Sequence, residues 1–298
     1  MGDLLGIGSL QRADVERLLE RAAGHKRALA EGRRVATLAG AVVGTLFFED
    51  STRTRSSFEF AARALGADVF SWSASGSSLS KGESLLDTAR NIDALGVRAM
   101  VIRHSSTGAP HLVSRHVRAA VINAGDGTNE HPSQALLDAF TLHQRLGDLS
   151  GKRVVIAGDL LHSRVARSNA RCLTLLGAQV VYCGPPTLLP PEMATLGCAV
   201  SHDFDRALEG ADAVMMLRVQ MERQSQAMFP SAREYARLFG LNPARAARLG
   251  PQVPVLHPGP MNRGVEIHSE VADGPRSAIL QQVANGVPMR MAILEACA

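Results

Sequence analysis

Ser51-Thr52-Arg53-Thr54-Arg55 places three hydroxyls and two guanidinium groups directly after an apolar run that ends in Phe47-Phe48. Behind them Phe58, Ala61, Ala62 and Leu65 recur at helical spacing, so a helix begins inside this polar segment. A helix N-terminus offers backbone N–H groups without intrahelical partners and a partial positive charge, and Ser or Thr hydroxyls add donors. Arg53 can add a bidentate fork for phosphate oxygens. The plain alternative is a Ser or Thr cap beside solvated arginines. Two arginines packed among hydroxyls at a strand end favour an anion site.

Five further apolar runs lead into residues that could join such a site. RAMVIRH closes on Arg103-His104, and AAVINAG is followed by GDGTNEHPSQALLD, where His131 and Gln134 lie three apart on the first turn of a helix and can point the same way. A histidine near a helix start is often a cap or surface residue, but the joint placement beside a second arginine favours function. In the second half VVIAGDLLHSRVARS has no G-x-G-x-x-G turn, which argues against a dinucleotide. Arg164 instead opens the next helix, Arg218 and Gln220 follow ADAVMML, and VLHPGP ends another run. Two arginines there suit an organic dianion such as a dicarboxylic amino acid.

The elements that must position these residues read as α/β. Short apolar runs alternate with segments of helical period, the pattern of parallel strands covered by crossover helices. Strands are expected at 41–49, 67–72, 98–104 and 119–125, and again at 153–159, 178–184, 211–217 and 253–259. The break falls near Gly147 to Gly151. Two domains result, each a parallel sheet flanked by helices, with the active site expected between them at the carboxyl ends of the strands. Gly286 and Pro288 predict two helical pieces or a kink in the last segment.

Composition narrows the function classes. The 298 residues are 46% hydrophobic, ample for a large core, and the net charge of +4 is modest for that length. With 4% aromatics and a single tryptophan, Trp72, there are few stacking platforms for single-stranded nucleic acid. Cys172, Cys183, Cys198 and Cys297 form no C-x-x-C pair, so reduced thiols in the cytoplasm are expected, without a zinc site. The first residues do not resemble a secretory leader, and no apolar run approaches the ~20 residues of a membrane span.

Taken together, FFEDSTRTRSSFEFAARALGA, SLSKGESLLDTAR, VIRH, NAGDGTNEHPSQALLD, RVQMERQ and LHPGP resemble the aspartate/ornithine carbamoyltransferase family in order and spacing over essentially the whole chain. Within it, RVQMER and His257-Pro258-Gly259-Pro260 are closer to the aspartate enzymes than to the ornithine enzymes, which typically carry H-C-L-P at the late strand end. HPGPMNRGVEI is more like the class that assembles without dedicated regulatory chains. An ornithine or other amino-acid carbamoyltransferase, and a non-catalytic scaffold of the same fold, remain the alternatives.

The resemblance implies a carbamoyl phosphate-binding domain at 1–147, an aspartate-binding domain at 148–275, and a C-terminal helix at 276–298 packing back on the first. It implies that Ser51, Arg53, Thr54 and Arg103 bind the phosphate, and that Thr54, Arg103 and His131 polarise the carbonyl. Gln134 and the carbonyls of Gly259 and Pro260 would receive the carbamoyl NH₂. Lys81, Arg164, Arg218 and Gln220 would hold aspartate, with Glu49 and Arg223 acting in domain closure. Lys81, with one of Ser77, Ser78 or Ser80, would enter the neighbouring subunit's site of a homotrimer. Dihydroorotase is the partner expected in a larger assembly. No cofactor or metal is implied.

Overall fold

A computed structural model describes residues 1–73, 83–220, 228–229 and 231–298. The expected site residues Ser77, Ser78, Ser80, Lys81 and Arg223 lie outside the described residues. The chain divides into two compact units, one formed by Met1–Phe140 with Ala284–Ala298 and the other by Thr141–Val283.

In the first unit β1 (Val42–Phe47), β2 (Asp68–Ser73), β3 (Ala99–His104) and β4 (Ala120–Asp126) form a parallel sheet in the order β2-β1-β3-β4. Val43, Leu46, Met100, Ile102 and Val121 are fully buried, as the unbroken apolar runs of a sheet covered on both faces require. The helices are α1 (Arg12–Ala30), α2 (Thr52–Ala64), α3 (Leu85–Ala94), α4 (Ala109–Ser114) and the first part of α5 (Pro132–Leu146). Phe58, Ala61 and Ala62 of α2, and Leu65 just after it, are fully buried, which is the face read from their spacing. Burying Phe58 alone is worth about 1.5–3 kcal/mol.

In the second unit β5 (Arg153–Ala157), β6 (Gln179–Cys183), β7 (Ala199–Ser201), β8 (Ala213–Met216) and β9 (Val255–Leu256) pair in parallel in the order β7-β6-β5-β8-β9. Around them run α6 (Arg164–Leu175), α7 (Phe204–Ala207), α8 (Ala232–Phe239), α9 (Pro243–Arg248) and α10 (Ser269–Ala272). The strand β7 was not expected from sequence. It is an edge strand of three residues, shorter than the roughly four to eight over which a strand pattern can be read. In the last segment the two separate pieces are not found, because α11 (Ile279–Cys297) is one helix with Pro288 inside it. Proline there forfeits an N–H bond to the preceding turn. The complete burial of Met289, Met291, Ala292, Ile293 and Leu294 on the following turns holds the helix together. Among the described residues no helix is long and apolar enough to cross a membrane.

Each sheet reverses direction beside its opening strand. β1 stands between β2 and β3, and β5 between β6 and β8. Such reversals open a crevice at the carboxyl ends of the two strands concerned, where open α/β sheets bind ligands. Ser51, Arg164 and Arg218 come after β1, β5 and β8, and Arg103 is the penultimate residue of β3, so the four strands that flank the two reversals each lead into one of these residues.

Candidate active site

In the first unit Ser51 is the N-cap of α2 in extended conformation (φ −162°, ψ 91°), and the first turn contains no acid. Among the described residues the Ser51 hydroxyl makes no capping hydrogen bond. Arg53 is exposed on that turn while Thr54 is buried beneath it. Desolvation lowers the Arg53 guanidinium from 12.5, a shift that leaves an arginine charged at neutral pH. An open, acid-free helix N-terminus bearing an arginine is an anion cradle. Arg55 is engaged elsewhere, with its guanidinium 5.3 Å from the centroid of the Phe47 ring in a cation–π contact.

Arg103 is the register partner of Phe47, so the end of β3 lies beside the start of this cradle. Its Nη2 donates to Glu49 Oε1 at 3.0 Å and its Nη1 to the Ala124 carbonyl at 3.3 Å. The neighbouring His104 turns to structure. Its Nδ1 accepts from Ser106 N at 2.8 Å and its ring packs on Phe48 at 5.1 Å. Burial lowers its pKa below 6.5, opposed by the charges of Glu49 and Asp126.

His131 and Gln134 are both buried at the start of α5. The Nδ1 of His131 lies 3.4 Å from Ser133 Oγ. Gln134 Nε2 donates to Asp138 Oδ1 at 2.9 Å, one helical turn on. The loop before α5 is tied by Asp126, itself fully buried, which accepts from Gly108 N at 2.7 Å, Asn123 Nδ2 at 2.8 Å, Asn129 Nδ2 at 3.1 Å and Glu130 N at 3.2 Å. Gly127 has φ +48°, and a Cβ there would sit 2.5 Å from Thr107 Oγ1, so the turn requires glycine.

The second unit builds its strand ends differently. Ser163 caps α6 by accepting from Ala166 N at 3.1 Å, and Arg164 follows as a buried side chain. Asp159 is fully buried; it accepts from His162 N at 3.2 Å and from Gln220 N at 3.2 Å, and its Oδ1 lies 2.9 Å from His162 Nδ1. This single carboxylate therefore joins the loop that carries Arg164 to the loop that carries Arg218 and Gln220. The late strand end is fixed by His257. Its Nδ1 accepts from Gly259 N at 2.8 Å, which places the ring proton on Nε2, 3.2 Å from Glu266 Oε1. Glu266 Oε1 also accepts from Asn262 N, and Asn262 Nδ2 donates to the Val219 carbonyl at 3.0 Å. Gly259 takes φ +63° and precedes Pro260 through a cis peptide bond.

Sequence reading missed the carboxylates that hold these loops. Asp126 and Asp159 both end an Ala-Gly-Asp triplet at the close of a strand, and the glycines, Gly125 and Gly158, take φ +117° and +143°. At Gly158 a Cβ would meet the Leu217 carbonyl oxygen at 2.5 Å. The repeated triplet is the signal that could have found them. His257 and Glu266 had no such signal, since nine residues separate them and only the fold brings them together.

Comparison with known proteins adds to this geometry. The carbamoyl-P binding domain model of the aspartate/ornithine carbamoyltransferases matches residues 2–144, and their Asp/Orn binding domain model matches residues 150–297. The chain is 63% identical to the aspartate carbamoyltransferase catalytic subunit of Myxococcus xanthus over 297 residues, covering 100% of this chain and 99% of the relative. It is 56% identical to that of Acidothermus cellulolyticus, covering 99% and 91%. Among solved structures it resembles aspartate transcarbamoylase from Trypanosoma cruzi in complex with carbamoyl phosphate and aspartate (TM-score 0.90, 31% identity, 99% of this chain and 96% of that one). The same enzyme in complex with N-(phosphonacetyl)-L-aspartic acid gives a TM-score of 0.90 at 32% identity, covering 99% and 95%.

Proposed function

The chain belongs to the aspartate/ornithine carbamoyltransferase family, and from that premise we propose how it acts. It is an enzyme that transfers the carbamoyl group of carbamoyl phosphate to the amino group of L-aspartate, giving N-carbamoyl-L-aspartate and phosphate, an early step of pyrimidine biosynthesis. The observation that carries this reading is the uncapped, acid-free N-terminus of α2 with Arg53 on its first turn, in the unit matched by the carbamoyl-P binding model. In the unit matched by the Asp/Orn binding model, the strand ends present Arg164 and Arg218. Two arginines attract a second carboxylate and repel the ammonium of ornithine.

The chemistry asks mainly for positioning. Ser51, Arg53, Thr54 and Arg103 hold the phosphate. Thr54, Arg103 and His131 donate to the carbonyl oxygen as the aspartate amine attacks the carbon, the C–N bond forms and the oxygen takes negative charge. Collapse of that intermediate breaks the C–O bond to phosphate, which leaves carrying the proton given up by the amine nitrogen. Gln134 and the Gly259 and Pro260 carbonyls accept from the carbamoyl NH₂. Arg164, Arg218, Gln220 and Lys81 hold aspartate. Holding two reactants in place is worth about 7–11 kcal/mol of barrier, against about 2.7–4 kcal/mol for one oxyanion donor.

The test offers the purified protein carbamoyl phosphate with either aspartate or ornithine. Carbamoyl aspartate is the expected product, whereas carbamoyl ornithine alone, or no product from either, would contradict the reading. Cytoplasmic location rests on cysteines without C-x-x-C pairing, and a homotrimer that shares Lys81 between subunits on the resemblance of SLSKGESLLDTAR to the family's loop. Mixed trimers of inactive Lys81→Ala and Arg53→Ala subunits should regain activity, and hybrids that form without regaining it would refute the shared site. Co-purification with dihydroorotase tests the larger assembly.

A further inference from the structure

Gln134 can serve as the acceptor for a carbamoyl NH₂ only if its amide oxygen, and not its NH₂, faces the substrate. An amide is nearly symmetric in shape, so something must decide between the two orientations. Its neighbour one turn along α5 is Asp138, a fully buried side chain on the same helix face, and Gln134 Nε2 donates to Asp138 Oδ1 at 2.9 Å. An ionised carboxylate can only accept, so this contact holds the NH₂ toward Asp138 and turns Oε1 the other way. Turned the other way, the amide would present a donor to a donor.

A buried carboxylate needs a compensating charge to stay ionised. Within the same unit the buried guanidinium of Arg290, from α11, is sensitive to the charge of Asp138, and it lies 5.0 Å from the ring centroid of Phe58 on α2. Burial lowers Arg290 to about 10 while the charge of Asp138 raises it. Gly286 leaves room for this arginine, since a Cβ there would stand 2.5 Å from its Nη1. The cation thus sits on the C-terminal helix against Phe58 of the phosphate-cradle helix, and the charge of Asp138 on α5 acts on it.

We propose that Asp138 is a positioning residue for the transferred group: charge-balanced by Arg290, it fixes the amide of Gln134 so that its oxygen selects an NH₂ on the acyl carbon of the phosphorylated substrate. The inference rests on the role given to Gln134 above. It concerns selectivity for the substrate's NH₂, so its readout is the preference for carbamoyl phosphate over acetyl phosphate, which replaces the NH₂ with a methyl group of similar size. Affinity for inorganic phosphate serves as the control for an intact cradle, because phosphate lacks the NH₂.

Both acyl phosphates and inorganic phosphate are titrated into the wild type, Gln134→Ala, Asp138→Asn, and the paired variant Asp138→Leu with Arg290→Met. The pair removes the carboxylate without leaving a buried charge unmatched and covers the case in which Asp138→Asn does not fold. One lost hydrogen bond corresponds to roughly a tenfold drop in preference. The expected result is that drop in Gln134→Ala and a comparable one in each Asp138 variant, with phosphate affinity kept. A drop in Gln134→Ala with preference intact in the folded Asp138 variants overturns the role of Asp138 alone. No drop in Gln134→Ala removes the assigned role of Gln134 and the inference with it.

Discussion

Both units open their site with the same device, a strand, a serine and a helix, and then part. Ser51 leaves the N-terminus of α2 uncapped among the described residues, while Ser163 closes that of α6 by accepting from Ala166 N at 3.1 Å. A free helix N-terminus can take a phosphate with backbone N–H groups and dipole. The cap on α6 takes up one of its free donors, Ala166 N, and under the proposed function anion recognition there leans on the guanidinium groups of Arg164 and Arg218. Under the proposed function the same local fold serves a phosphate in one unit and carboxylates in the other, with the serine side chain marking the difference.

The largest effects should separate the two half-sites. Arg53→Ala should lower kcat/KM roughly 10²–10³-fold, as for other lost donors to developing charge, with the melting temperature unchanged because Arg53 is exposed. Arg164→Ala should raise the KM for aspartate roughly 10–100-fold, the range for a charged hydrogen bond, while the KM for carbamoyl phosphate stays near wild type. A variant of one half that damages both substrates equally would blur the comparison.

How far this was legible in the sequence differs between the two layers of the site. Arg53, Arg103, Arg164 and Arg218 stand at the ends of apolar runs, and a charge after a parallel strand is visible without a fold. Asp126, Asp138 and Asp159 were not read, because what makes them important is their partners. Asp126 gathers donors from Gly108 to Glu130, and Asp159 reaches from His162 to Gln220. Such spans become contacts only after the strands are ordered. The edge strand β7 was invisible because it is only three residues long, and Pro288 does not split α11 because tertiary burial outweighs a local helix breaker.

Smaller effects test the serines themselves. Ser163→Ala should cost about 1 kcal/mol of stability, the usual value of an N-cap, whereas Ser51→Ala should cost none and weaken phosphate roughly fivefold to tenfold. Urea unfolding and phosphate titration of the two variants decide it, and equal stability losses would mean that Ser51 is an ordinary cap.

The last contrast is one of pH and is small near neutrality. In the second unit burial raises Cys183 to about 12 and Cys198 to about 11, and lifts Tyr182 and Tyr235 above their ordinary value. Among the described residues of the first unit only Cys297 shows such a rise, to about 12. Unfolded thiols release protons near pH 9 while these stay protonated in the fold, so stability present below pH 9 is lost as pH climbs toward 11. Hydrogen exchange followed from pH 8 to 10.5 should therefore accelerate in β6 before β1 and β3. Acceleration in the reverse order would contradict this assignment.

Calorimetric titration of inorganic phosphate into wild type, Arg53→Ala and Arg164→Ala tests the division of labour between the two helix starts most directly. Phosphate binding should be lost or weakened at least tenfold in Arg53→Ala and unchanged in Arg164→Ala. Equal loss in both variants, or full affinity in Arg53→Ala, would show that the open N-terminus of α2 is not the phosphate site.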